Sequence, residues 1–335
     1  MVMDAREAAK NALKYVMDAT PNERIAVIAD DTSLPIAQAF ALGAMDLDLW
    51  TRLIVLKTSK EIRSDIPQEV SFAVATKSSD IFITIFRDSE KETPFRIKII
   101  SLISRYKKYR LGHCPGITLD MLTEGALALS PAEHEEIQSS ARRLMGRLVN
   151  MKSVKVTSPN GTDITFSVSG RPFFTDTKFD WKDYKWGNLP TGEVIVGPVE
   201  SSLNGTVVCD LAIGGIGQIF SPVKITAKDG RAEKFESADK KVLARVETAL
   251  SIDEMARHVG EFAFGLNKKA RLSANFLEAE KVGNTVHIAF GHNTDFPGGM
   301  NTSATHMDFL ISKPTVEATD ANDSTLIAMK DGKIL

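Results

Sequence analysis

Cysteine is nearly missing from this chain: 335 residues contain two, Cys114 and Cys209, far apart and with no Cys-x-x-Cys pair. That excludes a disulfide framework and a thiolate zinc cluster. Long apolar runs are missing too, and none approaches the roughly 18 residues that would cross a bilayer. Charge of one sign is also scarce. A formal net charge of -2 at pH 7 gives no electrostatic reason to expect nucleic acid or an anionic membrane as a partner. The N-terminal stretch is amphipathic, with Asp4, Arg6 and Glu7 inside it, and lacks the apolar core of a signal peptide. A cytoplasmic protein is expected. What remains is ordinary for a soluble globular chain, 43% hydrophobic and 25% charged, and long enough for two domains.

The first part alternates helix and strand signals. Ala5, Ala8, Ala9, Ala12, Leu13 and Val16 recur at helical spacing, and residues 24–30 read as a buried strand. A helix capped by Thr32 or Ser33, strands at 51–56 and 80–85, and helices at 70–76 and 94–107 complete the pattern. Such β-α-β alternation predicts an α/β domain with a parallel sheet. Near residue 128 the character changes. Ser130 and Glu133 form a capping-box pattern ahead of a helix over 131–150. Short strands follow, joined by Pro159-Asn160-Gly161, Lys228-Asp229-Gly230 and Lys330-Asp331-Gly332, which are hairpin turn sequences. The expected organisation is an α/β domain over 1–128 and a β-rich α+β domain over 129–335.

The second domain carries the chemistry. His287 lies in the strand-like run Val286-His287-Ile288-Ala289-Phe290, and His306-Met307-Asp308 follows a glycine-rich loop. Alone, His287 would pass for a core histidine bonded to backbone. In His306-x-Asp308, however, positions i and i+2 of a strand share a face, so both side chains can reach one ion. Buried carboxylates need partners, and imidazole with carboxylate suits zinc, iron, cobalt or manganese. A metal site is expected. Glu193, at the mouth of a strand after Pro190-Thr191-Gly192, and Glu261, set among glycines and apolar residues, are candidates to complete it. His292 and Asp295 are spare ligands or proton carriers. Gly214-Gly215-Ile216-Gly217 lacks the spacing of a dinucleotide loop. Cys114, beside His113, reads as a buried structural thiol.

The order of these motifs, Asn188-Leu189-Pro190-Thr191-Gly192-Glu193-Val194, Gly260-Glu261, His287-Ile288-Ala289-Phe290-Gly291 and Gly299-x-Asn301-x-Ser303-x-x-His306-x-Asp308-Phe309, resembles the thermophilic aminopeptidase family (aminopeptidases T and S, leucyl aminopeptidase-like metallopeptidases). The resemblance covers about 188–312. It implies metal ligands at Glu193, Glu261, His287, His306 and Asp308, and a two-domain homodimer that removes N-terminal residues from peptides with a pair of divalent ions, commonly zinc or cobalt, with manganese also suited. A glutamate held through one oxygen (Glu193 or Glu261), or His292, is then the candidate general base. One departure stands out. The family has a tyrosine ligand shortly after the histidine of its His-Ile-Ala motif, and Thr294 stands in that place. A site one ligand short is expected to hold its second ion weakly or to hold only one. The alternative is therefore a non-haem Fe(II) ring-cleaving dioxygenase acting on a hydroxylated pyridine or related small aromatic through His287, His306 and Asp308.

Overall fold

Unbroken apolar runs, not alternating ones, build the first sheet. Residues 25–29 and 81–86 are buried at every position, as strands covered on both faces must be. In the computed structural model, which describes residues 2–335 apart from Ser59, Lys77, Ser78, Lys107, Asp183 and Ala274, these runs lie in the middle of a five-stranded parallel sheet. Its order is Trp50–Leu56, Arg24–Asp30, Ile81–Phe86, Arg110–Pro115, Trp186–Asn188. Ile25, Val27, Ile83 and Ile85 pack with helices Ala5–Tyr15 and Leu34–Met45. Ala26, Ile28, Phe82 and Phe86 pack with Gln68–Ala75 and Thr93–Ser104. Each face of the sheet therefore has its own helical layer, the doubly covered arrangement that β-α-β alternation dictates.

Two strands of this sheet were not anticipated. Arg110–Pro115 follows the helix expected at 94–107, where the sequence suggested no strand, and Trp186–Asn188 is only three residues long. The expected helix at 94–107 is Thr93–Ser104, and Lys107 lies outside the described residues. The compact units are Met1–Glu136 with Asp176–Thr191, and Ile137–Thr175 with Gly192–Leu335. The sequence placed a single division at 128/129; in the structure the chain also returns to the first unit to add its edge strand.

The second unit holds two antiparallel sheets. One runs Arg231–Ser237, Val223–Lys228, Asn204–Cys209, Asp163–Ser167, Met151–Thr157, Thr315–Asp320, Thr325–Lys330, Lys333–Ile334. The other runs Gly217–Gln218, Ala212–Ile213, His306–Ser312, Thr285–Gly291, Val259–Gly265, Glu193–Val196, Phe174–Thr175. Val154, Phe166, Val207 and Ile225 of the first share one core with Val196, Phe262, Ile288 and Phe309 of the second. The turn sequences act as read: Asp229 and Gly230 have φ of 48° and 81°, and Asp331 and Gly332 have 49° and 82°, the two positive values a type I′ hairpin requires. Ser130 caps helix Pro131–Leu148, with Ser130 N donating to Glu133 Oε2 at 2.8 Å and Glu133 N donating to Ser130 Oγ at 3.3 Å. Among the described residues, no helix is long and apolar enough to cross a membrane.

Candidate metal centre

Four neighbouring strands of the seven-stranded sheet divide their residues by size. Val286, Ile288 and Phe290, with Phe262, Phe264, Val194, Val196, Phe309 and Ile311, enter the core between the sheets. The alternate positions carry His287, Ala289 and Gly291, then Glu261, Ala263 and Gly265, then Glu193, then His306 and Asp308. Register brings these onto one face, because residues directly opposite in an antiparallel pair point the same way. Asp308 pairs with Ala289, Ala289 with Glu261, His306 with Gly291, Ala263 with His287, and Gly265 with Glu193. Small residues thus form a floor between the ionisable ones. A register shift between Val259 and Glu261 sets the phase of that strand. A side chain at Gly260 would put its Cβ 2.7 Å from the Gly291 carbonyl, so the bulge needs glycine there.

The ionisable groups are in mutual contact. Glu261 Oε2 lies 3.0 Å from His306 Nε2, and Glu261 Oε1 lies 3.3 Å from His287 Nε2. Asp308 Oδ1 is 3.2 Å from His306 Nε2 and 3.7 Å from His287 Nε2. On the other side of the His287 ring, Nδ1 faces Glu193 Oε1 at 3.6 Å. The Nδ1 atom is buried and makes no hydrogen bond. One donor atom each from Glu261, His287 and Asp308 fall within 4.8 Å of one another, as ligands of one ion must. All of these except His306 are nearly sealed from solvent, and the His306 side chain, 31% exposed, forms the open side.

Charge follows from this packing. Burial disfavours imidazolium at His287, but the hydrogen bond to Glu261 and the charges of Glu193, Glu261 and Asp308 outweigh it and push the ring up to about 9. At His306 desolvation is likewise outweighed by Asp308 and Glu261, and the ring lies well above its ordinary value. Glu261 is desolvated too, yet the two imidazoles hold its carboxyl well below the usual range. Buried acids and imidazoles that stabilise each other's charges form an oxygen and nitrogen donor set fit for a divalent ion.

Of the residues expected from sequence, Glu193, Glu261, His287, His306 and Asp308 come together. The His292 ring stands aside: Nε2 bonds Thr294 Oγ1 at 2.9 Å and lies 3.6 Å from Asp295 Oδ2. What His292 contributes is its backbone carbonyl, 2.7 Å from His306 Nδ1. That contact holds the ring with Nε2 turned to the acids. Thr294, at the place of the family's tyrosine, directs its hydroxyl to His292.

Sequence reasoning missed Lys281 and Glu280. Lys281, 4% exposed, forms a buried ion pair with Glu193 Oε2 and meets Glu280 Oε1 at 2.8 Å. Burial raises the Glu280 carboxyl, with Lys281 opposing and Asp308 adding to the rise. Also missed was the polar network under the 292–305 loop. Glu200 Oε1 accepts from Asn293 Nδ2 at 3.0 Å and from Met300 N at 2.9 Å, and Glu200 Oε2 accepts from Arg171 Nη2 at 2.7 Å. Outside the centre, Cys114 is fully buried as expected, and His113 Nδ1 lies 2.7 Å from Thr84 Oγ1.

A model of the family described as thermophilic metalloprotease (M29) matches residues 130–334. Two solved structures are similar over nearly the whole chain: 2,5-dihydroxypyridine dioxygenase from Pseudomonas putida KT2440 and wild-type AmpT from Thermus thermophilus. Each superposes with a TM-score of 0.70 at 16% identity over 99% of this chain, and over 96% and 98% of the respective structures. Identity that low establishes a common fold and leaves the reaction open. Comparison with curated proteins finds no match.

Proposed function

Because the chain belongs to the thermophilic metalloprotease family, a family of metal-dependent peptidases, we propose that it is an aminopeptidase, removing N-terminal residues from peptides. The observation that carries the reading is the shared sheet face of Glu261, His287, His306 and Asp308, floored by Ala263, Ala289 and Gly291. These four side chains would hold the divalent ion. Zinc, cobalt and manganese all suit such donors. When bound, the ion supplies Lewis-acid polarisation of the scissile carbonyl and a water acidic enough to ionise near pH 7.

The chain's own residues do the rest. The His292 carbonyl orients His306. The accessible edge at His306 gives the substrate its approach. Glu193, Glu261, Glu280 and Asp308 outnumber the cations around them, so a peptide's ammonium end is the end this pocket attracts. A panel of aminoacyl-nitroanilides, each with an N-acetylated counterpart, assayed with zinc, cobalt, manganese and iron, tests the proposal. Hydrolysis of the free-amine substrates only is expected. Equal hydrolysis of the blocked substrates, or none with any ion, would refute it.

The second reading is an Fe(II) dioxygenase, favoured by the two-His-one-carboxylate set His287, His306 and Asp308 and by the equal likeness to the dioxygenase fold. Glu261 weighs against it. An oxygenase centre needs open positions for substrate and O2, and Glu261 contacts both imidazoles at 3.0 and 3.3 Å. Oxygen uptake by the iron-loaded protein with a dihydroxypyridine would reverse this preference.

A further inference from the structure

We propose that Lys281 supplies the second cation of this centre, clamping Glu193 outside the ligand shell and limiting the site to one divalent ion held by Glu261, His287, His306 and Asp308. The inference rests on the metal-dependent reading above and departs from the pair of ions that the family resemblance implies.

The His287 ring separates two environments. Its Nε2 faces the carboxylates of Glu261 and Asp308, which also meet His306 Nε2. Its Nδ1 faces only Glu193 among the described acids, at 3.6 Å. A neutral imidazole binds an ion through one nitrogen and carries its proton on the other, which characteristically points at a carboxylate. With Nε2 turned to the three other donors, Nδ1 faces Glu193 at 3.6 Å, beyond hydrogen-bond length, and the carboxylate's charge favours the Nδ1–H tautomer. Glu193 is then a positioning residue that fixes the tautomer and tilt of His287.

Lys281 closes the remaining side. The side chains of Lys281 and Glu193 are 4% and 3% exposed, and the lysine backbone is fixed at both ends. Lys281 N donates to Glu278 O at 3.2 Å, and Lys281 O accepts from Asn267 N at 2.9 Å. Glu278 is itself buried and paired with Arg271 at 3.0 Å. The ammonium is therefore carried on a braced turn, not on a mobile surface arm. A second dication bound to Glu193 would sit beside a fixed positive charge in a medium that screens poorly. The same ammonium meets Glu280 Oε1 at 2.8 Å, so it engages both acids on this side of the centre. The hydroxyl of Thr294, turned to His292, adds no donor to a second position.

The test counts ions. The full-length protein, stripped and reloaded with Mn2+, is titrated calorimetrically and analysed for metal after desalting, and its EPR spectrum is recorded. One equivalent per chain with an uncoupled spectrum is expected. Lys281→Met, which removes the ammonium beside Glu193, should take up a second equivalent and show spin coupling. Glu193→Gln should keep one equivalent with affinity weakened about 10- to 100-fold, the usual cost of losing an outer-shell partner. Two equivalents in the unaltered protein, a Lys281→Met variant still at one, or complete metal loss in a folded Glu193→Gln variant would each overturn the inference. If Lys281→Met does not fold, the unaltered protein and Glu193→Gln still decide it. Zero equivalents in the unaltered protein would sink the metal centre itself, whereas two would sink only the single-ion assignment.

Discussion

Glu200→Ala should loosen the 292–305 loop and, through it, His306. Glu200 and Arg171 form a buried pair at 2.7 Å, with side chains 11% and 7% exposed. Removing the carboxylate strands the guanidinium and takes away the acceptor of Asn293 Nδ2 and Met300 N. Breaking a buried pair by deleting one partner costs about 3–5 kcal/mol, which is roughly two to four decades in the local opening equilibrium. Native-state hydrogen exchange of the Phe296, Gly299 and Asn301 amides, which are bonded within the loop, is the suitable assay. The effect has a pH signature. Burial raises the Glu200 carboxyl, but Asn293, Met300 N and Arg171 together bring it below its ordinary 4.5. Its stabilisation is therefore fully present above about pH 4.5 and fades as pH falls through the lower folded value. The gap between Glu200→Ala and the unaltered protein should be constant near neutrality and narrow in acid. An Arg171→Met/Glu200→Leu double variant should recover part of the protection, because it leaves no charge unpaired although Asn293 Nδ2 and Met300 N still lose their acceptor. A change under tenfold in Glu200→Ala, or a double variant no better than the single one, would refute this account of the loop.

Other consequences are simpler to check. His306→Ala and Asp308→Ala should each abolish stable metal retention and peptidase activity while leaving circular dichroism unchanged, since His306 forms the open side of the cluster and Asp308 meets it at 3.2 Å. Ala289→Val thickens the floor between Asp308 and Glu261. Overpacking of about 1–3 kcal/mol there should weaken metal binding by roughly 10- to 100-fold, and affinity unchanged within twofold would mean that the floor is not part of the site. Cys114 and Cys209 are fully buried, and burial pushes the Cys209 thiol up to about 12. Neither should react with a neutral disulfide reagent until urea unfolds the chain, and rapid labelling of the native protein would contradict the packing.

What could be read from sequence follows the range of each interaction. The capping box at Ser130 and Glu133 and the Asp-Gly turns at 229–230 and 331–332 are contacts within a few residues, and they formed where expected. Continuous apolar runs announced the parallel sheet, because burial on both faces leaves no polar alternation. The strand Trp186–Asn188 was not legible: three residues carry no periodicity, and its partner Arg110–Pro115 lies more than 70 positions earlier. Lys281 failed for a related reason. Glu280-Lys281 before a Gly turn has the composition of a solvated loop, and only the fold brings Glu193, 88 positions away, against the ammonium.

The metal cluster itself was half visible, and the reason bears on its chemistry. His306 and Asp308 share a face by local geometry alone, so that pair could be inferred without coordinates. Uniting them with His287 and Glu261 required the register of three strands, yet each strand carries the same division of labour. Large apolar residues, Phe262, Phe264, Ile288, Phe290 and Phe309, occupy one set of alternate positions, while acids, imidazoles, alanine and glycine, together with Ile195 and Leu310, occupy the other. A sheet whose second face met solvent would favour long polar and β-branched residues there. Ala263 and Ala289 keep the donors close instead, and backbone presses on the two glycines: a Cβ would stand 2.0 Å from the Val282 carbonyl at Gly265 and 2.1 Å from the Thr305 carbonyl at Gly291. Close backbone approach thus accounts for the glycines, and the alanines let the acids and imidazoles meet across neighbouring strands, the arrangement a divalent ion needs.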